Sequence, residues 1–148
     1  MKETEIAYLA GIIDGEGCIS ICRCNPGKEK HPRKIVRHRL RLSITQKPND
    51  LITWLFEKFP KHGCCHSKNP DGSIHCMAVV WWDNTAGKII RMVYPYLTCK
   101  KAQADIAFEF LEYKENFKTP GSRGLSDDDI KIRDEYKRRL SEEKQRVL

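Results

Sequence analysis

The apolar positions of this chain change period several times, and those changes divide it into elements. Ile6, Leu9, Ile12 and Ile13 recur at helical spacing behind Thr4, which stands as an N-cap with Glu5 in the first turn. The run ends at Gly15-Glu16-Gly17, where glycines suit a chain reversal. Cys18 to Cys22 then alternates as a strand does, and Asn25-Pro26-Gly27 opens a polar, basic loop reaching to about Arg33. Alternation resumes from Val36 through Thr45. Pro48 is placed to open a second helix carrying Leu51, Ile52, Leu55, Phe56 and Phe59, closed by Pro60 and Gly63. Cys64–Lys68 and Ile74–Trp82 read as strands joined by a turn at Asn69-Pro70-Asp71-Gly72. Asn84 or Thr85 caps a third helix to about Tyr94, Pro95 interrupts it, and another helix follows from about Cys99 to Asn116.

The order helix, two strands, helix, two strands, helices predicts an α+β fold, an antiparallel sheet with helices packed on one face. Residues 1–118 form the core domain and 119–125 a linker. Residues 126–148 form an appended docking helix, starting at a capping box in Ser126-Asp127-Asp128-Asp129 and striped by Ile132, Tyr136 and Leu140.

Composition narrows the class. A chain of 148 residues with 40% hydrophobic content is an ordinary single domain, not a disordered or collagen-like one. The longest apolar run, Met77–Trp82, is too short to cross a bilayer, and Met1–Glu5 has no signal-peptide core. The expectation is a soluble, intracellular protein of the cytoplasm or an organelle matrix, without a membrane partner. Cys22-x-Cys24 and His62-x-Cys64-Cys65-His66 are not standard zinc pairs, so the seven cysteines read as free thiols.

The net charge of +7 is concentrated. Between residues 23 and 47, Arg23, Lys28, Lys30, Arg33, Lys34, Arg37, Arg39, Arg41 and Lys47 stand against Glu29 alone, a local balance of +8. Residues 126–148 are neutral, with seven acids and seven bases. Successive strand side chains point to opposite faces. One face of the basic strand therefore presents Arg37, Arg39, Arg41, Ser43 and Thr45, while the other sends Val36, Leu40, Leu42 and Ile44 into a core. A row of like charges repels itself, and arginine suits phosphate oxygens and guanine edges. The face reads as a nucleic-acid-binding ribbon; alternation alone leaves DNA and RNA open.

Ala7, Gly11 and Gly15 share one face of the first helix, a stripe that lets another backbone approach closely or packs the helix on its own sheet. Asp14 and Glu16 lie at its C-terminal end, where the helix dipole disfavours negative charge. A divalent cation bound by carboxylate and carbonyl oxygens would remove that objection at Glu16.

Leu9-Ala10-Gly11-Ile12-Ile13-Asp14-Gly15-Glu16-Gly17 resembles the signature of the LAGLIDADG homing endonucleases, matching seven of nine positions if Glu16 counts as conserved chemistry. The resemblance covers roughly residues 4–117 and implies an αββαββα core with a saddle-like antiparallel sheet, plus C-terminal helices. It implies a site-specific double-strand DNA endonuclease cleaving a long pseudo-palindromic site. With one copy of the motif, it implies a homodimer joined through Ala7, Gly11 and Gly15.

By the same resemblance, Glu16 and the Gly15 carbonyl hold Mg²⁺ (or Mn²⁺ or Ca²⁺), and Asp14 is a structural acid. Gln46, in Thr45-Gln46-Lys47, organises water near the scissile phosphate. Lys100, with Lys101 as the alternative, in Pro95-Tyr96-Leu97-Thr98-Cys99-Lys100-Lys101-Ala102-Gln103, is the basic residue near the cleavage centre. Arg37, Arg39, Arg41 and Ser43 lead the expected DNA contacts, with Ser20, Cys22, His66 and Lys68 on the same concave face. Lys28, Lys30 and Arg33 reach out from the loop. The alternative is a non-cleaving relative, an RNA-splicing maturase or DNA-binding protein, whose mark would be loss of the motif acid.

Overall fold

The computed structural model describes residues 1–24, 36–118 and 124–146. Helix α1 (Glu3–Glu16) leads into strands β1 (Gly17–Cys24) and β2 (Arg37–Gln46), helix α2 (Asp50–Lys58), and strands β3 (Gly63–Lys68) and β4 (Ile74–Trp82). Helix α3 (Asp83–Val93), a 3-10 turn (Tyr94–Tyr96), and helices α4 (Lys101–Asn116) and α5 (Asp127–Gln145) complete the order. This is the α+β, αββαββα arrangement followed by further helices that the pattern predicts.

The four strands form one antiparallel sheet in the order β1-β2-β4-β3. Its helix-covered face carries Ile19 and Ile21 of β1, Leu40, Leu42 and Ile44 of β2, and Val79 and Trp81 of β4, all buried. Leu9, Ala10 and Ile13 of α1, Leu55 of α2, Ile90 of α3 and Phe110 of α4 close the core over them. The period-two pattern of β2 survives intact because one face is sealed; a slip of one residue would carry arginines into the core.

Several boundaries differ from expectation for local reasons. Helix α1 begins before Thr4, with the Glu5 carboxylate accepting from the Lys2 backbone N–H at 2.8 Å. Pro48 precedes α2 instead of opening it. Asn49 is the N-cap, its side-chain oxygen accepting from Ile52 N–H at 3.2 Å. Helix α3 starts at Asp83, ahead of Asn84 and Thr85, directly after β4.

No reversing loop joins α1 to β1. Gly17 caps the helix in extended conformation, with φ −77°, and its N–H donates to Ile13 O. A Cβ there would lie 2.6 Å from the Ile13 carbonyl oxygen and 2.7 Å from its Cα. Glycine is required at this position by close approach, not by handedness.

The segments Asn25–Arg33 and most of 119–125 lie outside the described residues, and with them Lys28, Lys30 and Arg33. Helix α5 docks on α4 and on the edge of the sheet. Asp134 takes hydrogen bonds from Arg23 at 2.8 Å and shares one with His38 Nε2 at 2.7 Å, while Arg139 reaches Glu109 at 2.7 Å. Leu140 is buried and Tyr136 packs against Phe110. Among the described residues no helix is long and apolar enough to cross a membrane, and the cysteines, Cys18 to Cys99, are free.

Gly17→Ala should cost about 1–3 kcal/mol, the range for forced overpacking. Gly15→Ala, whose Cβ would meet nothing within 4 Å in its own chain, should be neutral or slightly stabilising at concentrations where the chain is monomeric. Urea midpoints of the two variants check this contrast.

Candidate nucleic-acid interface and helix-end site

The site is assembled where α1 meets β1. Asp14 sits at the unfavourable end of α1 but turns its carboxylate onto the segment before α4. It accepts from the backbone N–H groups of Thr98 at 2.7 Å, Cys99 at 3.2 Å and Lys100 at 3.0 Å. These lie at and before the N-terminus of α4, where unpaired amides and the helix dipole favour an anion. Lys100 answers by donating its Nζ–H to the Asp14 carbonyl oxygen. The sequence-level objection to an acid at this helix end is thereby met for Asp14.

It is not met for Glu16. That side chain is exposed and has no hydrogen bond or ion pair to any described residue. Gly15, also exposed, lies in the last turn of α1, whose final carbonyls lack helical N–H partners. One free carboxylate beside carbonyl oxygens is a donor set that fits a hard divalent cation such as Mg²⁺ or Ca²⁺. Among the described residues no three His, Cys, Asp or Glu side chains gather as a metal cage.

Chain pairing brings the other two candidates to the same end. Gly17 lies opposite Ile44, which puts the tip of α1 next to the Thr45–Gln46 end of β2. Lys100 is held two residues from Glu16 by its bond to Asp14. Gln46 is half-buried and, by alternation, on the helix-covered side of β2. Ala7, Gly11 and Gly15 are exposed on α1, and a Cβ on either glycine would meet nothing within 4 Å. Tyr8 beside them is 57% exposed and packs edge-on against Trp54 of α2.

On the open sheet face, Arg37, Arg39 and Arg41 point away from the core residues His38, Leu40 and Leu42. Cys22 pairs with Arg39 and Ser20 with Arg41, so both share the arginine face as expected. Two expected contacts are placed otherwise. Ser43 has the right parity but is only 3% exposed, enclosed on the central strand between Cys18 and Val80. His66 pairs with Met77, which pairs with Gln46, and so takes the opposite parity; Cys65 and Ser67 are its neighbours on the arginine face. The register slips between Ser67 and Lys68, so alternation does not carry over to Lys68.

Sequence reading missed Trp82 and Asp83. Arg39 lies over the Trp82 ring, its Cζ 4.6 Å from the centroid, and Arg41 stands at 6.0 Å. Asp83 accepts from Arg39 Nε–H at 2.8 Å, from Leu40 N–H at 3.1 Å and from Lys114 Nζ–H at 3.0 Å. Burial pushes its carboxyl up, but the hydrogen bonds from Arg39 and Lys114 outweigh it and hold the group below its ordinary value. His38 is shifted down by burial, against the opposing pull of Asp134.

No protein-family model and no curated protein matches this chain. Solved structures do. It resembles the homing endonuclease I-CvuI in complex with the I-CreI target at TM-score 0.72 and 18% identity, covering 99% of this chain and 87% of that one. It resembles the archaeal intron-encoded homing endonuclease I-Vdi141I complexed with DNA at 0.71 and 17%, over 100% and 89%. The LAGLIDADG meganuclease I-AabMI bound to uncleaved DNA aligns at 0.60 and 17%, over 89% and 43%. The chain therefore has the LAGLIDADG homing-endonuclease fold.

Acid should weaken this fold in two stages. His38 has a folded pKa below its unfolded one, so stability is lost as pH falls below the ordinary imidazole value of about 6.5. Asp83 behaves likewise at lower pH: its contribution is present above the ordinary carboxylate value and lost as pH falls through the depressed one. Urea midpoints between pH 7 and pH 3 should fall throughout, with His38→Gln flattening the upper part and Asp83→Asn the lower.

Proposed function

We propose that this chain is a metal-dependent, site-specific double-strand DNA endonuclease of the homing type, acting as a homodimer. The observation that carries the reading is Glu16: an exposed carboxylate at a helix end, without a partner among the described residues, where Lys100 is anchored nearby and the arginine-bearing sheet face begins. The resemblance to endonucleases solved with DNA supports the same substrate.

Each residue has a distinct task. Glu16 and the Gly15 carbonyl hold the divalent ion, which when bound supplies Lewis-acid stabilisation of charge on the scissile phosphate. Lys100, its Nζ fixed on the Asp14 carbonyl, adds a positive charge near the same phosphate. Gln46 orients the attacking water by hydrogen bonding. Water adds across a P–O bond, leaving a phosphate on one fragment and a hydroxyl on the other. Arg37, Arg39 and Arg41 bind the duplex, with Ser20 and Cys22 beside them.

A second copy supplies the other half. Ala7, Gly11 and Gly15 leave open space along α1, so two such helices can approach closely, bringing together two Glu16 carboxylates and doubling the sheet face. A two-fold protein then reads a near-palindromic site.

A supercoiled plasmid library with random inserts, incubated with Mg²⁺, tests the chemistry. Wild type should linearise a specific subset, and Glu16→Gln should cleave at least about 100-fold more slowly, since even outer-shell metal partners are worth about 10–100-fold. Equal cleavage by both proteins would overturn the assignment.

The dimer has its own test in Gly11→Leu. The monomer has room for the side chain and leucine favours helix, so thermal stability at low concentration should hold or rise. Sedimentation should nonetheless shift from dimer to monomer. A wild-type chain that is monomeric on DNA would refute the homodimer.

A further inference from the structure

Asp83 is an unusual residue on an otherwise regular sheet margin. Among the described non-glycine residues it alone has a positive φ, +46°, and it does so at the first position of α3. Such a conformation is uncommon, though aspartate and asparagine tolerate it better than most residues. It lets the carboxylate fold back onto β2. One oxygen is fixed there by Leu40 N–H at 3.1 Å and Lys114 Nζ at 3.0 Å, leaving the other to take Arg39 Nε–H at 2.8 Å. Trp82 supports the same guanidinium from its flat side at 4.6 Å.

Held at Nε and on one face, the guanidinium of Arg39 keeps both Nη groups without a hydrogen bond to any described residue. That edge is a rigid pair of donors. Two kinds of acceptor pair match it, the O6 and N7 atoms of guanine and two phosphate oxygens. Charge decides between them. A residue meant only to attract phosphate gains nothing from a carboxylate at 2.8 Å, which subtracts from the positive field. Arg37 and Arg41 have no carboxylate partner among the described residues and serve that purpose. An acid beside Arg39 makes sense where direction matters more than charge.

We propose that Asp83, supported by Trp82, is the positioning residue that aims Arg39 at a guanine edge in the major groove, making a step in target choice depend on the β4–α3 junction. The inference rests on the DNA reading above and extends it to a residue that does not itself touch the duplex.

Selection of random duplexes by the wild-type protein, in EDTA so that they stay intact, defines the preferred base at every position. Binding of single-base variants is then compared for wild type, Arg39→Ala, Asp83→Asn and the double variant. Asparagine keeps the shape and tolerates the backbone angle, so the fold should survive, as a thermal melt verifies. Arg39→Ala should abolish preference for guanine at one position of each half-site. Asp83→Asn should weaken that same preference about tenfold, within the range expected for a bidentate base contact, and leave other positions unchanged. The double variant should be no worse than Arg39→Ala. Because Asp83→Asn removes a negative charge, affinity for non-specific duplex should hold or rise while specificity falls, a split that general destabilisation cannot produce.

A uniform loss over all sequences in Asp83→Asn would mark a merely structural role and overturn the inference. So would an unchanged base preference, or an Arg39→Ala loss that is sequence-independent and lowers the salt dependence by about one contact, the mark of phosphate binding. A wild-type chain that enriches no sequence would overturn the DNA reading itself, and this inference with it.

Discussion

The grip of the Asp14 carboxylate on three successive amides, Thr98 to Lys100, is the constraint on which the site depends. It joins residues 84 to 86 positions apart in sequence and fixes where α4 starts relative to where α1 ends. It also resolves an electrostatic conflict. An acid at the C-terminus of one helix is unfavourable, yet the same acid at the N-terminus of another is favourable, and Asp14 occupies both positions. Glu16, two residues on, has no such second helix. Among the described residues no hydrogen bond or ion pair answers its charge.

The sheet transmits that geometry. Gly17 admits no side chain, so α1 passes into β1 without slack, and β1 in turn aligns residue by residue with β2. Strand β2 then serves two masters. Its inner residues hold the core and, through His38 and Asp134, the docked α5; its outer residues form the arginine row. The helix end and the basic face therefore keep a fixed relation, which the proposed cleavage would need for base recognition to select the bond that is cut.

Much of this was legible in the sequence because it is written in periodicity. The parity of β2 follows from apolar residues alternating with arginines, and the α1 signature places Asp14, Gly15 and Glu16 on a helix end before a strand. What escaped has no periodic trace. His66 lies on an edge strand whose residues are mostly exposed, so no buried partner residues marked its face. Ser43 looked like an outward contact because parity says where a side chain points, not how deeply its strand is enclosed. Asp83 follows two tryptophans and precedes better-known capping residues; only the backbone turn at +46° reveals that it faces backwards onto Arg39.

The charge can now be apportioned between two kinds of work. Of the arginines on the outer face, Arg37 and Arg41 are unpaired with acids among the described residues, while Arg39 is tethered. A row of free cations binds any duplex by releasing counterions and weakens steeply with salt. A tethered one contributes less field and more geometry. Lys100 follows the same logic at the helix end: bound to a backbone carbonyl, it gives up its freedom of position. The outer face thus carries free cations beside one held by an acid, and on the DNA reading proposed above the free ones would gather duplex. On the same reading, the fixed ones, Arg39 and Lys100, would be those whose geometry refuses a wrong base or a misplaced phosphate.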